Sequence, residues 1–136
     1  MPTYSICAME SIGPAYQEKL KKVRVRTAAK LLERARTPKG RRQLAQDTGI
    51  CEALILRWAN MADLMRVRGV AEEYSELLEA AGVDTVKELK RRNVANLTKR
   101  MQEVNAERCL VRLLPSEKRV EAWVRQAKSL PPMMTY

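Results

Sequence analysis

The sequence repeats itself once, and this repeat limits the possible folds more than any other feature. Residues 11–32 align with residues 69–90 at an offset of 58, and six of the 22 aligned pairs are identical. Average residue usage would give about one or two identities by chance. Further along, residues 55–59 align with residues 120–124 at an offset of 65, which pairs Trp58 with Trp123. The repeat predicts two copies of one short unit that begins with a hairpin and ends with a tryptophan-bearing helix.

We therefore expect a single domain, residues 1–136, that is made of two repeats. Repeat one covers residues 9–63, repeat two covers residues 64–130, and residues 131–136 form a tail. Neither repeat carries enough apolar residues to bury its own apolar face, so we expect both to pack around one shared core.

The local signals within each repeat are helical. Apolar residues recur at three- and four-residue spacing from Val70 to Ala81, and Gly82 is typical of a helix stop. Helix starts are predicted at Thr37 before Pro38, at Thr85 in a capping box with Glu88, and at Ser116. No alternating apolar run is long enough for a strand. The sequence predicts an all-α fold with about eight short helices.

Large apolar and aromatic side chains are expected in the core rather than as platforms for stacked bases. This expectation covers two tryptophans on apolar helix faces and two methionines: Trp58, Trp123, Met61 and Met65. Tyr16 and Tyr74 are expected to pack at the hairpin bases.

Positive charge is concentrated in the first repeat. The stretch from Lys19 to Arg42 holds eleven basic residues and one acid, Glu33, an excess that equals the +10 net charge of the whole chain. The basic residues are Lys19, Lys21, Lys22, Arg24, Arg26, Lys30, Arg34, Arg36, Lys39, Arg41 and Arg42. Such a concentration predicts attraction to a polyanion, and a solvated helix surface is the alternative.

The second repeat begins with the opposite charge. Residues 72–88 hold six acids against one base: Glu72, Glu73, Glu76, Glu79, Asp84 and Glu88 against Lys87. The spacing of the first four acids predicts an exposed helix face, and it lacks the loop of a calcium site. A third basic group follows at Lys90, Arg91, Arg92, Lys99 and Arg100.

Missing residue types exclude many functions. The chain has no histidine, so it has no imidazole base, no Ser-His-Asp or Cys-His nucleophile, and no histidine metal ligand. It also lacks the G-x-x-x-x-G-K loop of nucleotide hydrolases. We expect a protein that is not an enzyme and that needs no cofactor or metal.

The cysteines and the first residues indicate the compartment. Cys7, Cys51 and Cys109 form no C-x-x-C pair, and the first residues lack the positive start and apolar core of an export signal. No apolar stretch approaches the ~20 residues that cross a bilayer. We expect a cytoplasmic protein with small buried thiols, and a reactive thiol is the alternative.

Two segments resemble the helix-hairpin-helix motif. Residues 11–16 and 69–74 are each followed by an apolar helix, a valine and a second helix, and Ile12 and Val70 occupy the apolar position between the two glycine positions of that motif. Each copy keeps one glycine, Gly13 or Gly69. Nearly the whole chain is similar to a bacterial family of tandem helix-hairpin-helix proteins catalogued as a domain of unknown function, four-three-three-two. The resemblance implies a fold and no settled role.

The hairpin and the basic charge together predict a non-enzymatic module that binds the backbone of a nucleic acid without sequence preference. We expect this nucleic acid to be double-stranded DNA. A tight glycine turn lets the backbone approach a phosphate, and the free amides of a helix N-terminus can bind it. Nearby cations strengthen this binding. The expected binding residues are Ser11, Ile12, Gly13, Pro14, Ala15, Lys19, Lys22, Arg24, Lys39, Arg41 and Arg42. The second hairpin, with its acids, is expected to contribute shape only. The alternative is protein-protein interaction or self-association through the basic and acidic faces, and no membrane partner is expected.

Overall fold

The computed structural model describes residues 4–136, which form eight α-helices. These are α1 (Pro14–Lys22), α2 (Ala28–Ala35), α3 (Pro38–Thr48), α4 (Glu52–Leu64), α5 (Glu72–Ala80), α6 (Val86–Leu89), α7 (Val94–Arg108) and α8 (Glu117–Ser129). A short 3₁₀ helix, Ile6–Ala8, precedes them. Residues 4–136 contain no strand, only an isolated bridge between Ser5 and Thr27. The predicted all-α class, with about eight short helices, is confirmed.

The chain forms two compact units. The N-terminal unit runs to Asp63 and includes Met133–Tyr136, and the C-terminal unit is Leu64–Pro132. Part of the predicted tail, residues 131–136, therefore belongs to the unit built by the first half of the chain. Residues 1–3, which open the predicted domain 1–136 and the segment expected to lack an export signal, lie outside the described residues. The shared core stays a prediction.

Two helices of the N-terminal unit, α2 and α3, begin where a side-chain oxygen accepts from an amide that has no backbone acceptor in the helix. The Thr27 hydroxyl accepts from the Lys30 N–H at 3.0 Å, and the Thr37 hydroxyl accepts from the Gly40 N–H at 3.0 Å. Helix α3 ends at Gly49, whose φ of 75° lies in the left-handed region that glycine adopts without strain. The predicted start of α3 at Thr37 is confirmed.

The C-terminal unit has a continuous apolar core contributed by all four of its helices. Helix α7 packs on α5 and on α8, and α6 packs on α8. The core includes Leu77 and Leu78 of α5, Leu89 of α6, Met101 of α7, and Trp123 of α8. The Ser116 hydroxyl caps α8 by accepting from the Arg119 N–H at 3.2 Å, as the sequence predicted.

Both units contain the same aromatic pair. The rings of Tyr16 and Trp58 lie 5.2 Å apart, and those of Tyr74 and Trp123 lie 5.4 Å apart. The hairpin bonds repeat as well, with Ile12 N–H donating to Met9 and Val70 N–H donating to Val67. The expectation that both tryptophans, Met61 and Met65 are core residues is confirmed.

The capping box predicted at Thr85 is wrong. The Thr85 side chain is 3% exposed and caps no amide of α6. Glu88 instead accepts from the N–H of Asp84 at 3.2 Å, one residue before the expected donor. Helix α6 is a single turn of four residues, and Thr85 is buried in the unit rather than free to turn back on the helix end.

Two burial expectations also need correction. All three cysteines are exposed: Cys7 lies in the short 3₁₀ helix, Cys51 directly precedes α4, and Cys109 is the C-cap of α7. Of the four acids expected on an exposed helix face, Glu73 is exposed, Glu76 and Glu79 are half-buried, and Glu72 is buried at 7% exposed. Glu72 is the first residue of α5, in the turn that follows the buried Val70.

Candidate nucleic-acid interface

The first hairpin leads directly into α1. The Ile12 N–H donates to the Met9 carbonyl at 2.9 Å, and the buried Ile12 side chain anchors the turn. Gly13 is the N-cap in an extended conformation, so no side chain covers the helix end, and Pro14 follows at the first position. The amides of Ala15 and Tyr16 have no acceptor within residues 4–136.

The cations that the sequence predicted beside the first hairpin lie at the C-terminal end of α1 or after it, away from the hairpin amides. Lys19 and Lys22 are exposed in the last turn of α1, and the Lys19 ammonium lies 5.8 Å from the centre of the Tyr16 ring. Arg24 is exposed with a φ of 66°. Since α1 rises about 1.5 Å per residue, the hairpin amides and Lys22 stand about 10 Å apart along the axis.

Helix α3 presents two of its three predicted cations. Lys39 and Arg42 are exposed, and Arg42 lies 3.9 Å from the carboxylate of Glu52. An open cleft of about 300 Å³ lies beside Arg42, lined by Pro38, Arg41, Glu52, Ala53 and Leu56. Its walls carry both charges, so the cleft has no strong preference for an anion.

Arg41 does not extend the basic surface. It is 7% exposed, and its guanidinium donates to the carbonyls of Ala35 and Thr135, each at 2.9 Å. The guanidinium carbon lies 5.6 Å from the centre of the Tyr136 ring. Burial lowers the pKa of Arg41 from its usual value, while Tyr136 and Glu52 act to raise it. The predicted phosphate ligand is therefore an anchor for the segment Met133–Tyr136.

The second hairpin differs from the first in charge. Its glycine, Gly69, has a φ of 92°, and the helix that follows has Ala71 as a cap without a side-chain hydrogen bond. The first turn of α5 contains Glu72 and Glu73, whereas the first turn of α1 contains no acid. A phosphate at the end of α5 would meet these carboxylates.

Sequence reasoning missed one arginine beside the second hairpin. The guanidinium carbon of Arg119 lies 5.2 Å from the centre of the Tyr74 ring and 5.5 Å from that of Trp123. Arg119 follows Tyr74 by 45 residues, so no local pattern could have placed these side chains together. The pairing of Trp58 with Trp123 was the nearest sequence signal, since it located this region of α8.

Residues 4–136 contain no group of three or more cysteine, aspartate or glutamate side chains that could hold a metal ion. No helix in the same range has the length and apolar character needed to span a membrane.

The family model described as Domain of unknown function (DUF4332) matches residues 10–130. The chain belongs to this family. The DUF4332 match begins just before the first hairpin and ends after α8, so it includes both hairpins and leaves out Met133–Tyr136. No curated protein and no solved structure gave a significant match.

Proposed function

We propose that the chain is a non-enzymatic module that binds the phosphate backbone of duplex DNA without sequence preference, through the N-terminal unit. The observation that carries this proposal is the uncapped N-terminus of α1. Its two unbonded amides, Ala15 and Tyr16, follow a turn in which Ser11 and Gly13 are half-buried and Ile12 is buried, and no acid lies in the first helical turn. Free amides at a helix N-terminus attract anions, because the helix dipole adds to the N–H donors.

Unpaired cations elsewhere in the N-terminal unit support the same function. Lys22, Arg24 and Lys39 are exposed, and none of them is within 4 Å of a carboxylate in the described residues. Lys21, by contrast, lies 3.8 Å from Glu18. Unpaired lysine and arginine side chains bind phosphates and release condensed counterions, and such contacts carry no sequence information.

The test is the salt dependence of binding to a labelled duplex, measured by fluorescence anisotropy. With four to six phosphate contacts, the logarithm of the association constant should fall against the logarithm of the salt concentration with a slope of about −3.6 to −5.4. A scrambled duplex should bind equally well. Flat titrations at low salt would contradict the proposal.

A pair of double variants tests the location of the interface. Lys22→Glu with Lys39→Glu should weaken binding strongly and reduce the slope by about 2 units. Lys87→Glu with Lys128→Glu makes the same change in net charge on exposed residues of the C-terminal unit and should have a smaller effect. Equal effects of the two double variants would place the interface elsewhere.

The competing function is protein-protein interaction or self-association through the basic and acidic faces. Its supporting observation is that Glu73 and Glu88 are exposed in the C-terminal unit. A salt-sensitive dimer on size exclusion, together with no duplex binding, would favour this function over the proposed one.

A further inference from the structure

The loop between α7 and α8 holds one leucine in solvent. This loop, residues 109–116, is longer than the connection between α3 and α4 at the equivalent place in the N-terminal unit, residues 49–51. Leu113 is 72% exposed, and Tyr136 is the one other large apolar side chain that is exposed within residues 4–136. Leu110 and Leu114, which flank it in the chain, pack against the core of the unit. Leu113 is therefore left out of the core although its neighbours are not.

Hydrogen bonds fix the backbone of this loop. The Asn105 side chain bonds Val111 twice, since its oxygen accepts from the Val111 N–H at 3.0 Å and its nitrogen donates to the Val111 carbonyl at 3.1 Å. The Tyr74 hydroxyl donates to the carbonyl of Leu113 itself at 3.0 Å. Val111 and Pro115 are buried. A side chain on an ordered backbone loses less conformational entropy on binding, so Leu113 is preorganised for a contact.

Positive charge accompanies Leu113 in the loop and at the start of α8. Residues 109–120 carry one acid, Glu117, and three exposed cations, Arg112, Lys118 and Arg119. None of the three cations has a carboxylate within 4 Å among the described residues. This part of the C-terminal unit therefore attracts an anionic partner.

Tyr74 brings one of these cations close to Leu113. The Tyr74 hydroxyl that donates to the Leu113 carbonyl lies 3.5 Å from the Nη1 atom of Arg119. The guanidinium carbon of Arg119 lies 5.2 Å from the centre of the Tyr74 ring and 5.5 Å from that of Trp123, so cation–π attraction holds it in place. A fixed cation and an exposed leucine thus lie on the same part of the surface.

The minor groove of a DNA duplex fits this combination better than a protein surface does. The centre of a protein interface is apolar and depleted of charge, whereas Leu113 is a single apolar side chain beside unneutralised cations. Proteins that bind the minor groove use arginine and lysine there, and many of them insert an apolar side chain such as leucine between two base pairs. The chemistry of the loop therefore favours duplex DNA as the partner.

We propose that Leu113 is a wedge that enters the minor groove of duplex DNA and separates two stacked base pairs, while Arg112 and Arg119 bind flanking phosphates. This inference rests on the proposed function and adds to it a preference for one state of the duplex. Separating stacked bases costs free energy, and the cost is smaller where a mismatch has already weakened the stack. The protein should therefore prefer a mismatched duplex to a perfect one.

The test compares two duplexes of equal length and charge, one perfect and one with a single C·C mismatch, by fluorescence anisotropy. The wild-type chain should bind the mismatched duplex about tenfold more tightly, and Leu113→Ala should bind both duplexes with equal affinity. Tyr136→Ala is the matched control, because it removes the other exposed large apolar side chain and should keep the preference. Circular dichroism and thermal denaturation check that both variants are folded.

An exposed thiol in the same loop locates the contact on the DNA. Cys109 carries an iron–EDTA group in a chain with Cys7→Ser and Cys51→Ser, which are both changes at exposed positions. Hydroxyl radicals from this group should cut both strands close to the mismatch, with the cuts offset towards the 3′ ends, as expected for a source in the minor groove. Uniform cutting along the duplex, or the opposite offset, would overturn the wedge.

The outcomes separate this inference from the proposed function. Equal wild-type affinities for the two duplexes, or a mismatch preference that survives in Leu113→Ala, would overturn the wedge and leave the proposed function in place. If Leu113→Ala keeps the mismatch preference and loses a dimer on size exclusion, Leu113 belongs to a contact between copies of the chain and the wedge is wrong. If neither duplex binds, the proposed function fails, and the wedge fails with it.

Discussion

Arg24 and Gly82 occupy equivalent positions 58 residues apart, and both have a left-handed backbone, with φ values of 66° and 95°. Each lies one residue beyond the C-cap of the first helix in its unit. In both units an arginine from a later helix or turn donates to the C-cap carbonyl at 3.3 Å, Arg34 to Val23 and Arg92 to Ala81. The first helix of each unit thus ends in the same way. The left-handed position is filled by glycine in the C-terminal unit, which adopts it without strain, and by arginine in the N-terminal unit.

Arg24→Gly should raise the free energy of unfolding by about 0.5–1 kcal/mol. A left-handed conformation costs an arginine about 1–2 kcal/mol, and the greater freedom of glycine in the unfolded chain offsets about 0.5–1 kcal/mol. Urea denaturation measures the change. Gly82→Ala is the converse and should destabilise by about 1 kcal/mol. A destabilising Arg24→Gly would show that the arginine side chain stabilises this turn.

Arg41→Met should destabilise the protein by about 2–3 kcal/mol. The change removes two hydrogen bonds from a charged donor and leaves the carbonyls of Ala35 and Thr135 without it. Arg42→Met, at the next position, removes only an exposed ion pair and should change stability by less than about 0.5 kcal/mol. Hydrogen exchange at the Thr135 amide, which donates to Arg36, should accelerate in the first variant alone. Equal destabilisation by both changes would contradict the anchoring role.

Thr27→Ala should cost about 1 kcal/mol, because the Thr27 hydroxyl caps α2 by accepting from Lys30. Thr85→Val should cost less than about 0.5 kcal/mol, since that hydroxyl makes no capping bond and valine keeps the shape of the side chain. Thermal and urea denaturation of both variants give the comparison. A large loss of stability in Thr85→Val would show that the Thr85 hydroxyl caps α6, as the sequence pattern predicted.

The exposure of Cys7, Cys51 and Cys109 predicts fast reaction of the native protein with a thiol reagent. We expect all three thiols to react without denaturant, and 6 M urea should add little to the amplitude. Single cysteine-to-serine variants assign the phases. A thiol that reacts only after unfolding would contradict the exposed position of that residue.

Local features of the fold could be predicted from sequence because they depend on residues within one helical turn of each other. The Thr37 and Ser116 hydroxyls cap amides three residues away, and Gly49 ends its helix with its own backbone. The periodic apolar residues that bury Trp58 and Trp123 are likewise a property of single helices. Membership of the DUF4332 family agrees with the resemblance that these residues carry.

The candidate sites depended on contacts that no local pattern contains. In the basic stretch, Arg41 lies between Lys39 and Arg42, which are both exposed. Arg41 is a buried anchor because its guanidinium donates to the carbonyl of Thr135, 94 residues further along the chain. The Tyr74 hydroxyl, which bonds the Leu113 carbonyl and lies 3.5 Å from Arg119, comes from α5, 39 and 45 residues earlier in the chain. The sequence by itself determined which segments form helices and where most of them begin, since caps and periodicity act over three or four residues. Which cations stay exposed and which leucine stays in solvent were decided by tertiary packing, because burial depends on the partner that a helix face or a loop meets.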